Sequence, residues 1–277
     1  ASGGIYKNVL VSTLAGYAWA VQLQESHSVT FAMSCAIVGL SGCAYFYLSK
    51  LLDDSVIISV LNAITVRHLR WGFPNCFNRF RKLGYQWIYK CVYRVYCELK
   101  LNLWVMGRIR IPLRIPEKLS VRNKLGVCWS MDFMRDSSRN QCRFRTFNVI
   151  DDFNREGLGI DFAVSLLAGR VTRYLDNLAE YHGYPLTIRI VNGPEFTGNT
   201  FTYWAKSHGI TIDYIKPSSP YQNRYIERFN RTCRTEVLDL YLFNSLEQAR
   251  KVTEEWLTIY NTERPHEALN NMAPLEY

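Results

Sequence analysis

The chain has 277 residues, 48% of them hydrophobic, which is enough for one large domain or two modest ones with a buried core and excludes a disordered tail. Its eight cysteines include no C-x-x-C pair and no Cys/His cluster at zinc spacing, and no cleavable signal peptide is visible. We therefore expect small buried thiols in a reducing cytoplasm.

The net charge of +9 is concentrated in the middle of the chain. Residues 51–126 contain 14 Lys and Arg against 4 Asp and Glu, whereas residues 127–277 contain 17 against 19. A local basic excess is typical of proteins that bind the phosphate backbone of nucleic acids. The alternative is an ordinary solvated face, because charge alone identifies a partner poorly.

Residues 1–50 are predicted to form an N-terminal helical segment. The segment includes 24 uncharged residues between Glu25 and Lys50, a length that would also allow a membrane-spanning helix. Frequent Ser, Thr, Gly and Cys, and the lack of flanking aromatic and basic anchors, favour a soluble helical element and leave a membrane anchor as the alternative. Because Ala1 is not an initiator Met, we expect that the native beginning is missing.

Residues 51–102 are predicted to form a helical DNA-binding domain of three helices. Gly72, Pro74 and Gly84 mark the breaks between the helices. Apolar residues recur at helical spacing, with Val56, Val60 and Ile64 as the first stripe.

Basic residues cover the other faces of these helices, as a helical DNA-binding domain requires. The candidate DNA contacts are Arg79, Arg81, Lys82, Lys90 and Arg94. Aromatic residues, among them Tyr89 and Tyr93, alternate with these basic residues. We expect them to pack in the core, since such a stripe is more often core packing than base stacking.

Residues 103–126 have no clean periodicity and contain Pro112 and Pro116, which predicts a linker. Beyond it, strands are predicted at 127–134, 143–151, 157–164, 186–191 and 210–215, and helices at 166–182, 198–207, 222–240 and 245–261. Three strands, helix, strand, helix, strand and helices is the order of a ribonuclease H-like α/β fold. We therefore expect a mixed five-stranded sheet with helices over residues 127–277.

Several sequence stretches carry a specific resemblance. They are residues 129–133, 148–156, 189–196, 222–231 and 260–269. Together they resemble the integrase catalytic core of bacterial insertion-sequence transposases, the second-frame product of the DDE integrase-core superfamily, which is related to retroviral integrases. Residues 35–41, with the form C-x-x-x-G-L-S, resemble part of the helix-turn-helix of the same family.

The resemblance implies a site in which two Asp and one Glu hold two Mg²⁺ or Mn²⁺ ions and join DNA strands. Asp132 and Glu227 match the first Asp and the Glu, whereas Val191 stands where the second Asp belongs. A valine offers no oxygen to a hard cation, so we expect a protein that is catalytically dead or nearly so. The alternative is rescue by a neighbouring oxygen, for which the candidates are Asn192, Glu195, Asp151, Asp152 and Asp213.

Each matching acid also has a plain structural interpretation. Asp132 could be an acid at a strand edge, and Glu227 could pair with Arg231 one helical turn later. On the predicted helix, Ile226, Phe229, Cys233 and Val237 form the core stripe. The other side carries Glu227 together with three residues that the resemblance implies are DNA contacts: Asn223, Arg231 and Arg234.

The predicted function is that of a bacterial cytoplasmic transposase-family protein that binds the DNA ends of an insertion element and the target DNA. We expect a homo-oligomer in a synaptic complex, with no membrane and no small-molecule substrate. The alternative is a non-catalytic DNA-binding remnant or regulator that competes with, or assembles with, an active transposase.

Overall fold

The computed structural model describes residues 13–46, 53–103, 123–216 and 220–277, so most of the predicted linker lies outside the described residues. The chain divides into two compact units, Ala1–Asp54 and Ser55–Tyr277. None of the helices in the described ranges is both long and apolar enough to cross a membrane.

The first unit contains the predicted N-terminal helices. They are α1 (Thr13–His27), α2 (Phe31–Val38) and α3 (Gly42–Tyr45). Helix α2 ends at Gly39, whose φ of 70° is the left-handed conformation that glycine adopts readily at helix ends. Ser41 then caps α3 by accepting a hydrogen bond from the backbone N–H of Ala44 at 3.2 Å. The turn between α2 and α3 thus follows from these two residues.

The second unit begins with three helices, α4 (Ser55–Arg67), α5 (Phe73–Lys82) and α6 (Tyr89–Glu98), which we call the helical module. All three lie within the range predicted to be helical. Of the predicted core stripe of α4, Ile64 is buried and Val60 packs against the core, but Val56 is 44% exposed and Ile57 and Leu61 are buried instead. Residues 57, 61 and 64 fall on one helical face, and that face packs against α5 and α6.

The rest of the second unit is built on a five-stranded sheet with the order β3-β2-β1-β4-β5. The strands are β1 (Cys128–Ser137), β2 (Arg143–Asp151), β3 (Gly157–Ala163), β4 (Thr187–Ile190) and β5 (Thr211–Tyr214). The first three pair antiparallel, while β4 is parallel to β1 and β5 is parallel to β4. The mixed five-stranded sheet that the sequence predicts is confirmed.

Helices cover both faces of the sheet. The helices are α7 (Ala168–His182), α8 (Pro194–Thr197), α9 (Asn199–Ser207), α10 (Arg224–Cys233) and α11 (Leu246–Thr262). The first core packs α7, α8 and α9 on one face, with Trp129, Met131, Phe147, Val149, Ile188, Ile190 and Phe201 among its buried residues. The second core packs α10 and α11 on the other face, with Phe144, Ile150, Phe162, Phe229 and Trp256 among them.

The predicted helix over 222–240 has three parts. A 3-10 turn at Pro220–Asn223 precedes α10, and a π-helical turn at Arg234–Leu238 follows it. A single α-helix was therefore the wrong prediction for this range, because the backbone winds more tightly before α10 and more loosely after it.

The helical module packs against the C-terminal part of the same unit. Ile259 of α11 lies against the apolar core of the module. Glu263 accepts ion pairs from Arg67 at 3.2 Å and from Arg79 at 3.1 Å, and Lys82 pairs with Glu276. The division into a separate DNA-binding domain at 51–102 and a core at 127–277 stays a prediction.

Candidate active site

Strand alternation determines where Asp132 points. Trp129 and Met131 on β1 belong to the first core, so Ser130 and Asp132 face the opposite side of the sheet, where α10 lies. Contacts between α10 and β1 agree with this placement. Strand β1 is central in the sheet, but its pairing with β4 ends at Ser130, so Asp132 is paired only with Asn148 on β2.

Two amide side chains connect Asp132 to α10 and to β2. Asn230 on α10 donates from Nδ2 to Asp132 Oδ2 at 2.8 Å. Asn148, the cross-strand partner of Asp132 on β2, donates from Nδ2 to Asn230 Oδ1 at 2.6 Å. This amide pair, Asn148 and Asn230, orients one carboxylate oxygen of Asp132. The prediction missed Asn230, although its position three residues after Glu227 places both residues on neighbouring parts of one helix face.

Burial and proximity both act on the two acids. Burial raises the pKa of Asp132, and the hydrogen bonds from the Phe133 N–H and from Asn230 oppose this only in part. Burial also raises the pKa of Glu227, and the negative charge of Asp132 raises it further. The charges of the two carboxylates therefore act on each other.

Position 191 directly follows β4. Ile188 and Ile190 on β4 belong to the first core, so Arg189 faces the side of α10. In the parallel pairing of β1 with β4, Ser130 is opposite Arg189, and Asp132 and Val191 each follow two residues later. Val191 is 40% exposed, so the position where the resemblance implies a second Asp carries a solvent-accessible hydrocarbon side chain.

Within the described ranges, no three His, Cys, Asp or Glu side chains form a group able to hold a metal ion. Two of the candidate replacements for the missing acid are held by one buried arginine. Arg189 donates from Nη1 to Asp152 at 2.6 Å and from Nε to Asp213 at 3.0 Å. The other carboxylate oxygen of Asp152 accepts a hydrogen bond from the hydroxyl of Ser130.

The remaining candidate replacements also have other partners. Both carboxylate oxygens of Asp151 accept hydrogen bonds of 2.7 Å, one from the backbone N–H of Gly126 and one from that of Phe153. Glu195 pairs with Arg145, and the side-chain amide of Asn192 donates to the carbonyl of Ile215 at 3.3 Å. Each of these groups is therefore oriented by a protein partner, which opposes its movement toward the position of the missing acid.

The exposed face of α10 carries Glu227 and Arg231, while Ile226, Phe229 and Cys233 are buried as predicted. No ion pair joins Glu227 to Arg231 among the described residues, so the plain interpretation of Glu227 is not supported. The prediction placed Asn223 on this exposed face, and that placement is wrong. Asn223 is 2% exposed and donates to the backbone carbonyl of Met131 at 3.4 Å, because the 3-10 turn rotates it inward.

The other predicted DNA contacts fall into two groups. Arg79 and Lys82 pair with Glu263 and Glu276, and Arg94 pairs with Glu98 within α6 at 2.9 Å. Arg234 donates to the backbone carbonyl of Arg135 at 2.8 Å. Arg81 and Lys90 are exposed, as is Arg231.

Comparison with known proteins is consistent across sequence and structure. Two family profiles described as Integrase core domain match residues 122–220 and 208–274. The 39.2 kDa protein of insertion element IS476 from Xanthomonas euvesicatoria is 34% identical over 245 residues, covering 88% of this chain and 71% of that protein. The 31.7 kDa protein of insertion element IS407 from Burkholderia multivorans is 32% identical over 256 residues, covering 92% of each chain.

A solved chain of the simian T-cell lymphotropic virus intasome has the same fold, with a TM-score of 0.50, 17% identity and coverage of 60% of this chain and 59% of that chain. The mixed sheet is therefore a ribonuclease H-like integrase core, preceded here by helices. From the two profiles and the two insertion-element relatives, we conclude that the chain belongs to the insertion-sequence transposases of the DDE integrase superfamily.

Proposed function

We propose that this protein binds the DNA ends of an insertion element and target DNA, and that Asp132 and Glu227 hold divalent ions used in joining DNA strands. We further propose that Val191 leaves this chemistry at or near background. The observation that carries the proposal is that Asp132 is hydrogen-bonded to Asn230 on α10, the helix of Glu227, while Asp132 and Val191 each follow by two residues the paired positions Ser130 and Arg189.

The residues fit a divalent ion in part. Two carboxylates, one within the central strand β1 and one on α10, suit Mg²⁺ or Mn²⁺, which prefer oxygen ligands. When bound, a pair of such ions would activate the attacking oxygen and stabilise the leaving oxygen. Asn230 orients Asp132 through the amide pair, and α10 fixes Glu227. Val191 supplies neither an oxygen nor a negative charge at the position expected for the second Asp.

DNA binding is proposed for the exposed cations next to this site and on the helical module. Arg231 lies on the face of α10 that carries Glu227, and Arg81 and Lys90 are exposed on the module. Arg94 and Arg234 have protein partners but are partly exposed, whereas Arg79 and Lys82 are proposed to hold the module in place. We propose that Asn223 orients β1 rather than touching DNA, and that several copies assemble on paired ends.

A strand-transfer assay tests the catalytic part. With Mn²⁺ or Mg²⁺ and a duplex carrying the element end, the unaltered chain should give joining at background. Val191→Asp should raise joining by at least about 100-fold, since misplacement of a reacting group alone costs on the order of 10²-fold. Adding Asp132→Asn to Val191→Asp should abolish the gain. Robust joining by the unaltered chain would contradict the proposal.

The second candidate is a non-catalytic DNA-binding protein that competes with, or assembles with, an active relative. Val191 is the observation that favours it. End-specific binding without joining, by both the unaltered chain and Val191→Asp, would identify this function. Calorimetric titration with Mn²⁺ adds an independent measure, because equal two-ion binding by both forms would contradict the proposed effect of Val191.

A further inference from the structure

A groove of about 590 Å³ lies where the helical module meets the C-terminal part of the second unit. We call it the junction groove. Its lining includes two aromatic rings, two guanidinium groups and two amides: Phe77, Tyr89, Arg228, Arg264, Asn75 and Asn271. Arg228 follows Glu227 on α10, but Glu227 does not line the groove, because consecutive side chains of a helix point in different directions.

The aromatic wall is held in place but not covered. Tyr89 contacts Phe73 and Phe77 at ring-centroid distances of 5.0 and 5.1 Å, with interplanar angles of 87° and 71°. Despite these contacts it is 51% exposed. The sequence predicts a core residue at this position, and the structure instead leaves an aromatic ring available to a partner. Nucleobases stack on such rings regardless of their sequence.

The cations of the groove differ in availability. Arg264 already has a protein partner, because its Nε donates to Glu236 at 3.1 Å. Arg228 is exposed, and its guanidinium group makes no hydrogen bond or ion pair with any residue in the described ranges. Glu267 is the acid on the groove lining. One available guanidinium suits a single phosphate, whereas the backbone of a duplex is bound by rows of cations.

The amides add groups that match the edge of a base. Asn271 accepts a hydrogen bond from Asn78 at 2.9 Å, which joins the two walls of the groove. The ion pairs of Arg79 with Glu263 and of Lys82 with Glu276 hold the same two walls. An amide both donates and accepts, as the edges of nucleobases do. The groove is therefore preorganised, which reduces the entropy lost on binding.

We propose that the junction groove binds one unpaired nucleotide of a DNA strand, with its base against Tyr89 and its phosphate at Arg228. This inference rests on the proposed DNA-binding function and specifies an unpaired segment of the bound strand. Because the groove offers one stacking ring, amides and one available cation, an unpaired nucleotide matches it and a continuous duplex does not.

Fluorescence anisotropy with the full chain tests this assignment. The probes are an oligothymidylate and a duplex of the same length. Tyr89→Ala should weaken oligothymidylate binding by roughly tenfold, the size of one lost base stack, and should leave duplex binding within about twofold. Tyr89→Phe keeps the ring and should bind like the unaltered chain. Tyr181→Ala is the matched control, because Tyr181 is 85% exposed on α7 and does not line the groove.

Photo-crosslinking of the unaltered chain to an oligonucleotide containing 5-iodouracil supplies a second measurement that needs no variant. The adduct should map to Tyr89 or Phe77. If duplex binds but Tyr89→Ala keeps full oligothymidylate affinity and the adduct maps elsewhere, the inference is overturned alone. If neither DNA binds, the proposed DNA-binding function is overturned together with it. Should Tyr89→Ala fail to fold, the position of the adduct decides.

Discussion

The carboxylate of Asp132 depends on a chain of two hydrogen bonds that crosses three elements. Asn148 on β2 donates to Asn230 on α10, and Asn230 donates to Asp132 on β1. Asn148 is fully buried and Asn230 nearly so. Leaving a buried polar group without its partner costs more free energy than the hydrogen bond itself contributes. The amide pair therefore contributes both to the orientation of Asp132 and to the stability of the fold.

Replacement of Asn230 should therefore destabilise the protein. Asn230→Ala leaves Asp132 without its side-chain donor and the amide of Asn148 without an acceptor, and we expect the free energy of unfolding to fall by about 1–3 kcal/mol. Urea denaturation measures this change. Asn177→Ala is the matched control, an exposed helical Asn on α7 whose replacement should stay within about 0.5 kcal/mol. Equal effects of the two substitutions would show that the amide pair contributes nothing.

The sequence predicts some residues of this site and misses others for a physical reason. Asp132 and Glu227 follow from their local motifs, because each motif contains the acid itself. The role of Asn230 depends on the distance between α10 and β2, which no local pattern encodes. Asn223 was misplaced because the prediction used the rotation of an α-helix, whereas the 3-10 turn has 3.0 residues per turn.

At the scale of elements, the position of α10 depends on how closely β3 approaches it. Gly157 begins β3, and a Cβ at that position would lie 2.4 Å from Leu257 Cδ1 and 2.8 Å from Phe229 Cε2. Leu257 belongs to α11 and Phe229 to α10. The absence of a side chain at residue 157 thus allows both helices to pack against the sheet, and α10 carries Glu227.

Gly157→Ala should separate these layers. We expect a loss of about 1–3 kcal/mol of unfolding free energy, typical of overpacking a filled core, and this is measured by chemical denaturation. Gly169→Ala in α7 is the control, since nothing lies within 4 Å of its new Cβ. Alanine favours helix, so this control should be neutral or stabilising by up to about 1 kcal/mol. A neutral Gly157→Ala would contradict the close packing.

Strand positions were predictable because β1 and β2 are rich in β-branched and aromatic residues and β4 is a short apolar run followed by a turn. Strand β2 at Arg143–Asp151 has the predicted bounds, and β3 differs from its prediction by one residue. Helix α8 was missed, although Pro194 at its start is a known signal. The π-helical turn at Arg234–Leu238 could not be predicted from helical periodicity, since that periodicity assumes one constant rotation per residue.

At the scale of the whole second unit, charge serves two purposes. The basic excess of residues 51–126 predicts a DNA-binding surface, but part of it faces acids of the C-terminal region. Arg67 lies 196 residues from its partner Glu263, and Lys82 lies 194 residues from Glu276. Composition reports such charges without their partners. Intramolecular pairing of Arg79 and Lys82 therefore reduces the number of cations that the module can offer to DNA.

His68 makes this junction sensitive to acid. Its side chain is buried, stacks on Trp71 at a centroid distance of 3.8 Å and lies 3.9 Å from Glu263. Burial and the charges of Arg67 and Arg79, partly opposed by Glu263, together lower the pKa of His68 from 6.5 to about 4. Between these two values the unfolded chain binds a proton that the folded chain does not. The free energy of unfolding therefore falls as the pH is lowered.

We expect this single group to contribute up to about 1.4 kcal/mol of lost stability per pH unit below 6.5, levelling off near pH 4. His68→Gln removes the titration, so the stability of the variant should depend less on pH by that amount. Urea denaturation of both proteins at pH 7, 6 and 5 measures the difference. Other titrating groups are common to both, and any packing loss from the substitution is constant across pH. Parallel curves for the two proteins would therefore show that His68 takes up its proton equally in the folded and unfolded states.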